Sequence, residues 1–141
     1  MDHVGIVVND LPAATKFFKD LGLTVMGETP VEGSWVDRVI GLEGVRADII
    51  MLQGPGSVGT TLELSTFQSP ASVDGSGAAP ANARGLRHVA FLVDDIDAAV
   101  AGLRARGTEL VGEVLQYEHA YKLCYVRGPE GIIVELAEQL G

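Results

Sequence analysis

Cysteine is nearly absent: Cys124 is the only one in 141 residues. A lone thiol forms no internal disulfide and no cysteine-only zinc site. Its neighbours Leu123 and Tyr125 mark it as an inert buried thiol on a strand. Positive charge is scarce too. Lys and Arg total 10 against 19 Asp and Glu, a formal net charge of −9. That sign does not suit a phosphate backbone or an anionic lipid surface, so neither nucleic acid nor membrane partners are expected. No apolar run approaches the roughly 20 residues of a membrane helix. The first residues lack a basic stretch followed by an apolar one, so no signal peptide is expected, and a cytoplasmic location is. Aromatic residues make up 6%, which counts against a pocket built on ring stacking. Hydrophobic residues nevertheless reach 47% and charged residues 21%, enough for a packed core in one ordinary domain.

What the chain does have is a repeat. Asp2-His3-Val4-Gly5-Ile6-Val7-Val8-Asn9-Asp10 returns as Arg87-His88-Val89-Ala90-Phe91-Leu92-Val93-Asp94-Asp95, 85 positions later. The same spacing matches Ala13-Ala14 to Ala98-Ala99, Gly22 to Gly107 and Gly27-Glu28 to Gly112-Glu113. Each copy opens with a short apolar strand and an N-cap carboxylate, Asp10 or Asp95. Apolar stripes follow at helical spacing, Leu11, Ala14, Phe18 and Leu21 in one copy and Ile96, Ala99, Val100 and Leu103 in the other. Gly22 and Gly107 sit where a left-handed cap would end each helix. Strands are then expected over 24–31, 46–53 and 60–67 in the first half, and over 109–117, 121–127 and 132–137 in the second. Residues 128–131 form the last turn. Residues 34–40 read as a strand or an insertion. The organisation is thus two β-α-β-β-β modules, 1–67 and 86–141, joined by 68–85, a Ser, Ala, Gly, Pro and Asn-rich segment without a core of its own. Stretched out, 18 residues span about 60 Å, so the modules can pair within one chain or by exchange between two.

Strand side chains alternate faces. Val4, Ile6 and Val8 belong under the first helix, which leaves His3 on the other face; Val89, Phe91 and Val93 leave His88 likewise. In the last strands Leu62 and Leu64, or Val134 and Leu136, face the helix, so Glu63 and Glu135 point away from it. Each module therefore puts one His and one Glu on its helix-free face. A carboxylate there is costly unless it is paired or bound to a cation. Two imidazoles and two carboxylates meeting between two sheets suit a divalent ion: Zn, Ni, Co or Fe, with Mn admitted by the oxygen ligands.

These residues resemble the vicinal oxygen chelate superfamily of glyoxalase I, methylmalonyl-CoA epimerase, extradiol dioxygenases and bleomycin and fosfomycin resistance proteins. The resemblance rests on Asp2–Val8, Leu62-Glu63-Leu64, Leu86–Asp95 and Gly131–Leu136 and covers nearly the whole chain. It implies an α+β fold in which the two modules form a cupped mixed sheet with helices on the outer face. It also implies metal ligands at His3, Glu63, His88 and Glu135, closest to the glyoxalase I pattern, and a homodimer, which would cover open sheet edges. Two departures stand out. Gly128-Pro129 replaces the family's Asp-Pro, and 34–42 lacks glutathione-contacting features, which points away from a glutathione hemithioacetal as substrate.

An ion that chelates two vicinal oxygens acidifies an adjacent C–H and stabilises the enediolate that follows. A carboxylate released from the metal then serves as base. The expected function is a metal-dependent glyoxalase-like lyase or isomerase acting on a small substrate. Glu135 or Glu63 is the base, with Glu135 favoured because Gly131 lets its strand adjust. Iron–oxygen chemistry is disfavoured by a fourth protein ligand, since oxygen and substrate both need open positions. The alternative is a metal-free protein that sequesters an aromatic drug or metabolite, as bleomycin resistance proteins do. Trp35, Arg38, Tyr117 and Tyr121 are candidate substrate contacts. The rings have a packing role open to them as well, and Arg38 a surface pair with Asp37 or Glu43. His119 is expected in a solvated hairpin turn.

Overall fold

Two sequence periods, one of two residues and one of 3.6, set the layers of each half. The structure, a computed structural model, describes residues 1–55, 59–75 and 77–141. Residues 56–58, within the expected first module, and residue 76, within the expected connecting segment, lie outside the described residues. The chain divides into two compact units, Met1–Asp74 and Gly75–Gly141.

In the first unit β1 (His3–Val7) leads into α1 (Leu11–Asp20), β2 (Thr24–Glu32), α2 (Ser34–Ile40), β3 (Arg46–Gln53) and β4 (Thr61–Ser69). The sheet runs β1-β4-β3-β2, with β1 parallel to β4 and the other pairs antiparallel. The Asp10 carboxylate accepts from the Ala13 N–H at 3.0 Å and starts α1. Leu11, Ala14 and Phe18 bury one face of that helix, which lies against β4, and Ile50, Leu52, Leu62 and Leu64 are buried in the sheet. Gly22 (φ 102°) takes the left-handed conformation that turns the chain into β2. The second unit repeats the plan with β5 (His88–Leu92), α3 (Ile96–Ala105), β6 (Leu115–Tyr117), β7 (Tyr121–Arg127) and β8 (Ile133–Gln139), in the order β5-β8-β7-β6. Asp95 caps α3 through the Ala98 N–H at 2.9 Å, and Glu138 accepts from the Ile96 N–H at 2.8 Å. Ile96, Val100 and Leu103 are buried on α3, which lies against β8, and Cys124, Val126, Val134 and Leu136 are buried in the sheet. Burial pushes the Cys124 thiol pKa up, as its inert role requires. The architecture is α+β, with two four-stranded mixed sheets and three α-helices among the described residues.

Of the two readings open for residues 34–40 the strand fails and the insertion holds: they form α2, which has no counterpart among the described residues of the second unit. Gly33 (φ 110°) and Gly41 (φ 74°) bracket it, and the Asp37 carboxylate accepts from the Gly44 and Val45 N–H groups at 3.0 and 2.8 Å. Val36 packs with Val45 and Ala47, against Val31 and Phe67. Phe67 alternates in step with Glu63 along β4, so α2 covers part of the face opposite α1. The strand expected over 109–117 is interrupted. Leu110 bridges Val126, the chain bends at Val111-Gly112, and only Leu115–Tyr117 rejoins β7.

Candidate functional site

Parallel pairing of the first and last strand of each unit brings His and Glu together. Gly5 lies opposite Glu63 across β1 and β4, and His3 stands two residues earlier on the same face. His3 Nε2 is 3.4 Å from Glu63 Oε2. In the second unit Ala90 lies opposite Glu135, and His88 Nε2 is 3.2 Å from Glu135 Oε2. The side chains stay open to solvent, 43% and 27% exposed in the first pair and 39% and 21% in the second. Among the described residues, no three His, Cys, Asp or Glu side chains gather as an ion-holding group. Each unit thus pairs one imidazole with one carboxylate.

The far ring nitrogens are held differently. His3 Nδ1 donates to the Asp2 carboxylate at 2.8 Å, and His88 Nδ1 lies 3.5 Å from the Tyr125 hydroxyl. The Asp2 hydrogen bond raises the His3 pKa above its ordinary 6.5; slight desolvation opposes this and the Glu63 charge adds to it. The folded-state value lies above the unfolded one, so the interaction supports the fold at low pH and fades as pH rises through the folded value. In ion-free protein, Asp2→Asn should bring the His3 titration down toward 6.5, read from its ring proton shifts by NMR.

The other candidates make no hydrogen bond or ion pair with these pairs among the described contacts. Trp35 (61% exposed) and Arg38 are exposed on α2. The pairing of Arg38 with Asp37 is not made, since Asp37 is committed to the backbone of Gly44 and Val45. Tyr117 and Tyr121 are register partners at the β6–β7 turn. Alternation along β7 puts Tyr121 on the face of Tyr125, the register partner of Glu135. His119 is exposed in that turn. A cleft of about 920 Å³ runs between α1 and the outer strands of the first unit, past Lys16, Lys19, Glu28 and Asp48, and contains none of the expected site residues. Sequence reasoning missed Asp2 and Tyr125. Asp2 was legible as a carboxylate beside a His, whereas Tyr125 required the register of three strands.

The comparisons bear on the family and the fold. The family model for the glyoxalase/bleomycin resistance protein/dioxygenase superfamily matches residues 2–125. The solved structure of a glyoxalase family protein from Bacillus cereus is 47% identical, with a TM-score of 0.96 over 100% of this chain and 94% of that one. The uncharacterised protein YaeR of Escherichia coli is 30% identical over 140 residues, 97% of this chain and 94% of its own. The trypanothione-dependent glyoxalase I of Leishmania major, 24% identical with a TM-score of 0.70 over 98% of this chain and 85% of that one, shares the fold. With a family model spanning most of its length and a relative alike from end to end, this chain belongs to the glyoxalase/bleomycin resistance protein/dioxygenase superfamily.

Proposed function

We propose that the chain is a metal-dependent lyase or isomerase of the glyoxalase type, acting on a small substrate with two vicinal oxygens. One observation carries the reading: the approach of a His Nε2 to a Glu carboxylate oxygen, made twice at 3.4 and 3.2 Å. A carboxylate oxygen only accepts, so the gap holds either a proton on Nε2 or a bound cation, and a divalent ion held by both groups would take the proton's place. The donor set of one nitrogen and one oxygen per half suits Zn, Ni, Co, Mn or Fe. His3, Glu63, His88 and Glu135 would hold the ion, with the halves joined within a chain or across a homodimer. When bound, the ion supplies Lewis-acid activation of a carbonyl. Glu135, or Glu63, removes the proton from the adjacent carbon and returns it to the product. Imidazoles restrained through Nδ1 keep their Nε2 atoms in place while the carboxylate moves.

Elemental analysis of untagged protein tests this, with an N-terminal tag avoided because His3 is so near. About one ion per site is expected in the wild type, lost in His88→Ala. Wild-type protein that binds no ion even after reconstitution with each candidate metal overturns the reading. A second reading draws on Tyr117 and Tyr121, paired across the β6–β7 turn and 64% and 41% exposed. It is metal-free sequestration of a planar aromatic ligand. Tight binding of such compounds by protein that takes up no ion selects it.

A further inference from the structure

Strands β5, β8 and β7 lie side by side. Ala90, Glu135 and Tyr125 form one row across them, and His88 stands two residues before Ala90. Neighbouring strands are about 4.8 Å apart, so only a long side chain on β7 reaches over β8 to β5. Tyr125 does so. Its ring centroid is 5.0 Å from that of His88, with the planes tilted by 38°, and its hydroxyl is 3.5 Å from Nδ1. Nε2 lies 3.2 Å from Glu135. Both nitrogens of His88 are thus faced by groups from a single row of the ladder.

Among the described residues the first unit has no such device. Met51 occupies the row position of Tyr125, opposite Glu63, and carries no hydroxyl. There Asp2 accepts from His3 Nδ1 instead. At the repeat spacing Asp2 is replaced by Arg87, whose guanidinium has no acceptor. The second unit therefore needs a different partner for Nδ1. A hydroxyl both donates and accepts, so it matches Nδ1 with or without its proton, whereas a carboxylate matches only Nδ1–H.

We propose that Tyr125 is the positioning residue of the second His–Glu pair, fixing the His88 ring so that Nε2 is presented beside Glu135. Only the ion-binding arm of its test rests on the metal-dependent reading above. Tyr125→Phe keeps the ring contact and drops the hydroxyl; Tyr125→Leu drops both. NMR relaxation of the His88 and His3 ring carbons in ion-free protein is the first arm. His88 should be ordered in the wild type, looser in the Phe variant and loosest in the Leu variant, with His3 unchanged throughout. Zn²⁺ titration calorimetry is the second arm, with affinity expected to fall about 10-fold in the Phe variant. Equal His88 ring order in wild type and Phe variant overturns the proposal, whether or not the Leu variant folds. Wild-type protein that takes up no Zn²⁺ counts against the metal reading alone, and the ring-order arm still decides Tyr125.

Discussion

Glu135→Gln and Glu63→Gln, made separately, should leave the fold intact, and the variant that has lost the base should turn over small α-hydroxy carbonyl substrates about 10²–10⁴-fold more slowly. Gln keeps the size of Glu but removes its charge and its capacity to take a proton, and puts an N–H donor where one acceptor oxygen stood. Stability should change little, because both carboxylates are partly solvated, 27% and 21% exposed. The comparison also separates the two carboxylates. Loss of ion with loss of rate marks a holding role, and loss of rate with the ion retained marks the base. Wild-type turnover in both variants would remove the base assignment and leave the paired imidazoles to be explained as structural.

Gly131→Ala should be the most destabilising single methyl addition near the site. Gly131 has φ 86°, and a Cβ there would lie 2.8 Å from Ala78 Cβ and 2.9 Å from Ala78 Cα. Backbone strain and overpacking together should cost about 2–4 kcal/mol, read by urea denaturation. Gly107→Ala is the control. It shares the positive φ, at 91°, but meets nothing within 4 Å, so strain alone remains, about 1 kcal/mol. Adding Ala78→Gly should recover part of the Gly131→Ala loss. Equal costs at 131 and 107 would show that the Ala78 contact yields freely. The position matters for function because the Gly131 carbonyl accepts from Arg127 Nη1 at 2.8 Å just before β8, the strand that carries Glu135.

The paired arrangement of His3 with Glu63 and of His88 with Glu135 was legible because it depends on two local rules, strand alternation and the repeat spacing. Asp10 and Asp95 were readable as caps for the same reason, since a cap acts within one turn. The failures are where distant contacts decide. Ser34–Ile40 contains Trp35, Val36, Val39 and Ile40, which favour a strand. The helix is instead set by Asp37 gripping the backbone of Gly44 and Val45 and by Val36 finding Ala47 and Phe67. The gap in the strand expected over 109–117 follows the bend at Val111-Gly112, which a window of apolar residues does not register. Tyr125 was hidden because its partner, His88, is 37 residues away and on a strand it does not pair with.

In both sheets the imidazole stands on the rim strand, β1 or β5, and the carboxylate on the strand next inward. An outermost strand of five residues is the part of a sheet most easily peeled away, and a peeled rim offers free N–H and C=O groups to any neighbouring chain. A cation gripped by both residues would act as a stitch across that rim. Occupancy would then govern solubility as well as reactivity, with depleted protein accreting edge to edge where loaded protein stays dispersed.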